Sequence, residues 1–210
     1  MKFKDCGNIP LGIYPVVDRA YKLKPLYEVG ITTAQLRVKD MNGDVLENEV
    51  IEAIAISKEF DARFFLNDFW ELGIKHKTYG IHLGQEDIQE ADVQAIFDAG
   101  IRLGISTHTT NEIQIAMEFE PSYLAIGPIF ETTSKKMVYN PVGIEDLKRW
   151  AMDVEYPIVA IGGININNIK EVALTKSANS IAMISDVLED GEISKTRTIA
   201  LIEAFEQYAS

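Results

Sequence analysis

Eight short runs rich in β-branched and other apolar residues alternate with segments of helical apolar spacing along the whole chain, and this alternation limits the possible folds more than any other feature. The runs fall at 11–17, 33–38, 63–66, 80–83, 102–106, 123–126, 158–161 and 180–184. Between them, sets such as Val50, Ile51, Ile54 or Ile199, Ile202, Phe205 recur at the spacing of one helix face. Several runs, Ile158-Val159-Ala160-Ile161 among them, are apolar throughout, as strands of a parallel sheet are when both faces are covered. Dividing 210 residues among eight units gives about 26 per βα unit. Two architectures accept such units, a closed barrel and an open doubly wound sheet. The open sheet places a glycine-rich fingerprint after its first strand, and here that strand ends in Val17-Asp18-Arg19. A (β/α)8 barrel is expected, as a single domain over residues 1–210, because no linker or composition shift divides the chain.

Composition narrows the partners. Hydrophobic residues make up 47%, enough for a sizeable core. The formal net charge of −12 argues against nucleic acid and anionic membranes as main partners. It leaves small anions open, since a local site binds phosphate through backbone N–H groups and a few cations. Cys6 is the one cysteine, so neither an intramolecular disulfide nor a thiolate metal cluster is available. Residues 1–10 lack a basic stretch followed by an apolar one, so no signal peptide is expected. No apolar run reaches about 18 residues, the length of a membrane span. A reducing cytoplasm is the default location, and homo-oligomerisation is left open.

Catalytic groups of a barrel gather at the C-terminal ends of its strands. The second strand ends in Gln35-Leu36-Arg37-Val38-Lys39, which places Gln35, Arg37 and Lys39 on one face. Three unpaired polar groups in an apolar core would cost several kcal/mol each, on the order of 2–7. Facing an anion removes that objection; a salt-bridge layer inside the barrel is the alternative. The third strand ends in Asn67-Asp68 and the fourth in His82-Leu83-Gly84-Gln85-Glu86-Asp87. Asp68 and Asp87 can share a hard cation such as Mg2+, which takes one or two carboxylates beside water and phosphate oxygens. Helix N-capping is the competing role for each. Ser106, with Thr107 and Thr109, offers hydroxyls to a phosphate or to the next helix start, and His108 there reads as structural. The hydroxyl-rich stretch 127–136, containing Glu131, Thr132, Thr133, Ser134, Lys135 and Lys136, is too long for a minimal turn and reads as a substrate-covering segment. Gly162-Gly163 after the seventh strand and Ile184-Ser185-Asp186 after the eighth suit the phosphate site that barrels build there. His76 and His82 have bland readings, a solvated helix end and a satisfied barrel residue. Residues 189–192 read as a solvated acidic turn.

Together these stations resemble the thiamine-phosphate synthase family over nearly the whole chain. The resemblance rests on Gln-Leu-Arg-Val-Lys at 35–39, Asn67-Asp68, His-Leu-Gly-Gln-Glu-Asp at 82–87, Gly-Ile-Ser-Thr-His at 104–108, Thr-x-Ser-Lys at 132–135 and Ala-Ile-Gly-Gly-Ile at 160–164. It implies a transferase that joins a hydroxymethylpyrimidine diphosphate to a phosphorylated hydroxyethylthiazole and releases pyrophosphate. It also implies the site: residues 35–39 (Leu36 and Val38 included), Asn67, Ser106 and Lys135 on the pyrimidine diphosphate, with Arg37, Lys39 and Lys135 catalytic. Asp68 and Asp87 would hold Mg2+, and Thr132, Thr133, Ser134, Gly163, Ile184 and Ser185 would hold the thiazole phosphate. The chain departs from the family at Phe69, where many members have a second Asp, at Glu131, where Pro is common, and at Ser134, where Thr is common. One extra residue lies between Gly163 and Ser185. Two other functions remain: a thiazole-phosphate tautomerase on the same barrel, which has no call for both aspartates and Lys39, and a non-catalytic sensor of phosphorylated ligands.

Overall fold

The computed structural model describes residues 1–7, 10–132 and 139–209. Eight parallel strands close into a barrel in sequence order: β1 Gly12–Val17, β2 Thr33–Leu36, β3 Arg63–Asn67, β4 Gly80–Leu83, β5 Arg102–Thr107, β6 Tyr123–Ile126, β7 Ile158–Ile161 and β8 Ser180–Met183. Pairing of β1 with β8, Gly12 opposite Ser180 and Pro15 opposite Met183, completes the ring. Helices follow the strands as the apolar spacing requires: α1 Leu23–Tyr27 after a short 3-10 turn, α2 Gly43–Glu59, α3 Trp70–His76, α4 Asp87–Glu90, α5 Val93–Asp98, α6 Thr110–Glu118, α7 Gly143–Ala151, α8 Ile169–Leu174 and α9 Lys195–Ala209.

All eight expected strands are present, with ends within two residues of those read from sequence. The largest difference is at β2, which stops at Leu36 rather than at 38. Its ladder with β1 runs out at Val17 opposite Leu36, and one further bond, Arg37 N–H to the Val17 carbonyl at 2.8 Å, ends the pairing. Arg37 and Lys39 therefore leave the cylinder at its mouth. The acidic stretch 189–192 is more ordered than a turn: β9 Leu188–Glu189 and β10 Glu192–Ile193 pair antiparallel. Asp190 and Gly191 join them, both at positive φ (51° and 83°), which an Asp-Gly pair accepts readily.

Alternation along the strands sorts the interior into two cores. Outward residues such as Leu36, Leu66, Ile81, Leu103 and Ile126 pack under the helices in one continuous shell. Inward residues Tyr14, Phe65, Tyr123, Ala125, Val159 and Ala182 fill the cylinder itself. The cylinder has room for its large aromatic rings only because their neighbours lack side chains: a Cβ at Gly104 would run into the Tyr123 ring, and one at Gly80 into Phe65. Below these rings the N-terminal segment closes the floor. Arg63 donates to the carbonyls of Cys6 and Pro10 (3.3 and 2.7 Å), Tyr79 to that of Cys6 (3.2 Å) and Arg102 to that of Asp5 (2.7 Å). The polar side chains that end the strands gather at the opposite, C-terminal mouth.

Candidate active site

At the mouth, all eight strands contribute to a cavity of about 270 Å3 lined by Gln35, Arg37, Lys39, Asn67, Asp68, His82, Glu86, Asp87 and Ser106 over a floor of Tyr14, Tyr123 and Ala125. Period 2 along each strand brings the polar set together. Register sets its level, with Gln35 opposite Phe65 and Asn67 opposite His82. A second, small hollow of about 50 Å3 lies over β7 and β8, lined by Thr132, Gly162, Gly163, Ile164, Ser185 and Asp186. A third, of about 320 Å3, opens between β1 and the β9–β10 hairpin beside Asp18, Lys22 and Arg37. Ile184 borders all three.

Most of the expected site residues thus converge: Gln35, Arg37, Lys39, Asn67, Asp68, Asp87 and Ser106 in the first cavity, Thr132, Gly163 and Ser185 in the second, smaller one, and Ile184 between them. Leu36 and Val38 do not join by their side chains. They alternate with the inward residues, are fully buried in the shell under the helices and line none of the hollows. Thr133, Ser134 and Lys135 lie outside the described residues. Glu131 is exposed and lines none of the hollows, and Phe69 turns back to pack against the shell, so neither departure intrudes on the cavity.

Asp68 does not cap a helix. Its backbone sits in the left-handed region (φ 63°), and its carboxylate accepts from Lys39 Nζ at 2.5 Å; α3 after it has no side-chain cap. Among the described residues that pair is the one realised part of the salt-bridge alternative, and it lies at the wet mouth, with the Lys39 side chain 52% exposed and that of Asp68 16%. Such a pair is weak and readily exchanged for a ligand. Asp87 opens α4 without capping it; its Oδ2 folds back over Gly84, where a Cβ would meet it at 2.7 Å. Among the described residues no group of three or more His, Cys, Asp and Glu gathers to hold a metal by itself. Two carboxylates at one mouth fit instead an ion that takes the rest of its shell from water and ligand oxygens.

The smaller hollow is built by close backbone approach. Beyond β6, the N–H groups of Ile129 and Phe130 donate to the carbonyls of Ile161 and Gly162 (2.9 and 3.0 Å), which lays the outgoing chain along the end of β7 and brings Thr132 to Gly163. A Cβ at Gly163 would strike the Glu131 carbonyl, and its φ of 68° is itself a glycine conformation. Asn168 secures the turn, donating to the Gly163 carbonyl at 2.9 Å and accepting from Asn165 N–H at 2.7 Å. Burial raises the Asp186 carboxyl above its ordinary range despite Arg197. At Asp18 burial also pushes upward, but the hydrogen bond and charge of Lys22 outweigh it and the carboxyl stays low.

His108 is structural, as read, while His76 ends its helix paired and partly buried rather than solvated. His76 meets Glu47 at 2.6 Å, and His108 bonds Glu112 at 2.9 Å and stacks on Tyr139 with centroids 4.4 Å apart. Sequence reasoning missed Tyr14, Tyr123 and Glu86 as cavity residues. Tyr14 was within reach, since it shares a period-2 face with Asp18; Tyr123 begins its strand inside an otherwise apolar run and gives no such signal.

A closed parallel barrel whose acidic, basic and hydroxyl side chains meet at one mouth defines a barrel enzyme. A family model described as thiamine monophosphate synthase matches residues 13–187. The thiamine-phosphate synthase of Serratia proteamaculans (strain 568) is 44% identical over 199 residues, covering 93% of each chain. That of Klebsiella pneumoniae subsp. pneumoniae is 46% identical over 180 residues, covering 85% of each. Among solved structures, thiamine phosphate pyrophosphorylase from Pyrococcus furiosus superposes with a TM-score of 0.84 at 27% identity, over 95% of this chain and 98% of that one. The N-(5'-phosphoribosyl)anthranilate isomerase of the same organism shares the barrel alone, at 10% identity and a TM-score of 0.70 over 94% and 99% of the two chains. The chain belongs to the thiamine monophosphate synthase family, and it is an enzyme, a transferase of thiamine biosynthesis.

Proposed function

We propose that this barrel synthesises thiamine phosphate by joining 4-amino-2-methyl-5-(diphosphooxymethyl)pyrimidine to 4-methyl-5-(2-phosphooxyethyl)thiazole, with release of pyrophosphate. The observation that carries the reading is the pairing of two unlike hollows across Ile184. One is large, with cations and carboxylates; the other is small, with glycine backbone and hydroxyls. The first suits a ring bearing a diphosphate, the second a single phosphate.

In this reading Gln35, Asn67 and Ser106 orient the pyrimidine. Arg37 and Lys39, joined by Lys135 on the family resemblance, lie on its diphosphate. Among the described residues the Arg37 side chain makes no ion pair, so it meets the diphosphate without first giving up a partner. Lys39 exchanges the Asp68 carboxylate for phosphate oxygens, which frees Asp68 at the moment the substrate arrives. Asp68 and Asp87 would hold Mg2+, which when bound supplies positive charge beside the leaving oxygens. The reaction breaks a C–O bond to a benzylic-type carbon. The electron-rich aminopyrimidine stabilises the resulting cation, and the thiazole nitrogen forms the new C–N bond. No protein nucleophile is needed. The chain contributes charge placed in advance on the departing pyrophosphate and a fixed approach of one substrate to the other. Thr132, Gly163 and Ser185, with Thr133 and Ser134, would hold the thiazole phosphate so that its ring leans over Ile184 toward the first cavity.

Pyrophosphate release, measured with both substrates, with each omitted in turn, and with and without Mg2+, tests the proposal. Release only with both substrates and Mg2+ is expected. A tautomerase or a ligand sensor releases none.

A further inference from the structure

At the floor of the first cavity, four hydrogen bonds, three of them buried, join Gln35 to Ser106. Gln35 Nε2 donates to the Tyr14 hydroxyl at 3.1 Å, and the Tyr14 and Tyr123 hydroxyls meet at 3.1 Å. His82 Nδ1 meets the Tyr123 hydroxyl at 2.7 Å and His82 Nε2 meets Ser106 Oγ at 2.8 Å. From these bonds we infer that His82 is a positioning residue: its tautomer, fixed through Tyr123 and Tyr14, makes the Ser106 hydroxyl a donor and the Gln35 carboxamide oxygen an acceptor toward the substrate. This rests on the reading that Gln35 and Ser106 touch the aminopyrimidine.

The direction of the chain follows from counting protons. Both tyrosines are completely buried, and burial pushes their phenols well above the ordinary range, so each carries one proton and no more. A buried hydroxyl proton without an acceptor is costly, so each is used once. With Gln35 donating to Tyr14, Tyr14 donates to Tyr123 and Tyr123 to His82 Nδ1. The remaining proton of a neutral imidazole is then on Nε2 and goes to Ser106 Oγ. Ser106 is left with its own O–H to give, and Gln35 with its oxygen to receive.

The reverse direction is the only other way to satisfy all four contacts. It would turn the Gln35 amide NH2 into a cavity lined by Arg37 and Lys39 and point the Ser106 proton down into the imidazole. In the structure it is Gln35 Nε2 that lies on the Tyr14 hydroxyl, which leaves the carboxamide oxygen to the cavity and selects the first direction. An aminopyrimidine matches it, with an amino N–H to donate and a ring nitrogen to accept. The stacked His82 and Tyr123 rings, with centroids 5.7 Å apart and planes 18° apart, hold the imidazole so that neither nitrogen can swing away.

Two measurements decide the matter. In the full-length enzyme without ligand, 15N NMR of the His82 imidazole is expected to show a protonated Nε2 and a bare Nδ1. The opposite tautomer overturns the proposal. Steady-state kinetics then compare Ser106→Ala, His82→Asn and the double variant. Each single change is expected to raise KM for the pyrimidine diphosphate about five- to tenfold, with KM for the thiazole phosphate moved less than twofold. The double variant is expected to lose clearly less than the product of the two single losses, because His82 acts in part through that hydroxyl. His82→Gln, which keeps a donor where Nε2 stood, is expected to restore KM to within about threefold of the parent. Additive losses in the double variant, or equal shifts in both KM values, overturn the proposal. Should His82→Asn fail to fold, Tyr123→Phe replaces it in the same cycle, since it removes only the hydroxyl. A parent enzyme that releases no pyrophosphate overturns the activity reading instead, while the NMR result still decides the direction of the chain.

Discussion

Replacing Gly163 with alanine separates conformational strain from steric clash at the smaller hollow, because Gly12 provides a matched control. Both glycines hold nearly the same positive φ, 68° and 69°. A Cβ at Gly12 meets nothing within 4 Å, whereas one at Gly163 strikes the Glu131 carbonyl and the Phe130 backbone. The left-handed conformation costs an alanine about 1–2 kcal/mol, partly offset by about 0.4–1 kcal/mol from the stiffer unfolded chain. Gly12→Ala should therefore lose about 0.5–1 kcal/mol. Gly163→Ala adds an overpacking penalty of about 1–3 kcal/mol, since the obstacle is backbone rather than the tip of a flexible side chain. With an unfolding entropy of about 2.1 cal/mol/K per residue, each kcal/mol shifts Tm by about 2 °C in a chain of this length. Thermal melts should show a drop of about 1–2 °C for Gly12→Ala and about 3–8 °C for Gly163→Ala. Kinetics should show a KM for the thiazole phosphate raised about tenfold or more in Gly163→Ala alone, with the pyrimidine KM within twofold, because the clash pushes the Thr132 segment off its hollow. Equal melting shifts in the two variants, or an unchanged thiazole KM in Gly163→Ala, would refute the claim that close approach of this loop builds the site.

Other outcomes follow from single groups. Asp87→Asn should lower kcat by about a hundredfold or more and flatten its Mg2+ dependence, while Tm stays within about 2 °C because Asp87 caps nothing; full activity at low Mg2+ would remove Asp87 from the metal site. Burial pushes the Cys6 thiol up to about 11, so at pH 8 only about one part in a thousand is thiolate. A thiol reagent should label the native enzyme extremely slowly, tenfold faster for each pH unit below 11, and at once after denaturation; fast native labelling at pH 8 would contradict this burial. The Asp186 carboxyl is raised by burial, so ionising it opposes folding, and its contribution is most favourable below the unfolded value and lost as pH rises through the folded one. Asp186→Asn should therefore melt higher than the parent at pH 7, with the gain shrinking toward pH 4, and a gain that instead grows on acidification would reverse the assignment.

The extent to which the site was legible in the sequence differs from strand to strand. On β2 the alternation of Gln35, Arg37 and Lys39 with buried apolar residues is visible as a period of two, so the residues and their common face could be read directly. Asp68 and Asp87 were legible as a pair only because the barrel expectation put both at strand ends. Alone, each resembles a helix cap, and only their absence from any cap bond sets that role aside. The β9–β10 hairpin carried a local signal in Asp190-Gly191, yet its two-residue strands are too short for any periodicity to register.

What the sequence determined by itself is the repeating βα unit and the side on which each strand's residues fall, because both follow from spacing between near neighbours. Tertiary structure alone decided what lies beneath the cavity. His82, Tyr123 and Tyr14 come from three strands, separated by up to 109 residues, and nothing local marks them as partners. Gly104 had to leave room for one ring, β5 had to place Ser106 above the imidazole, and closure of β1 onto β8 had to complete the ring around them. Contacts of this kind arise from the radius and register of the closed cylinder, which no stretch of the chain encodes separately.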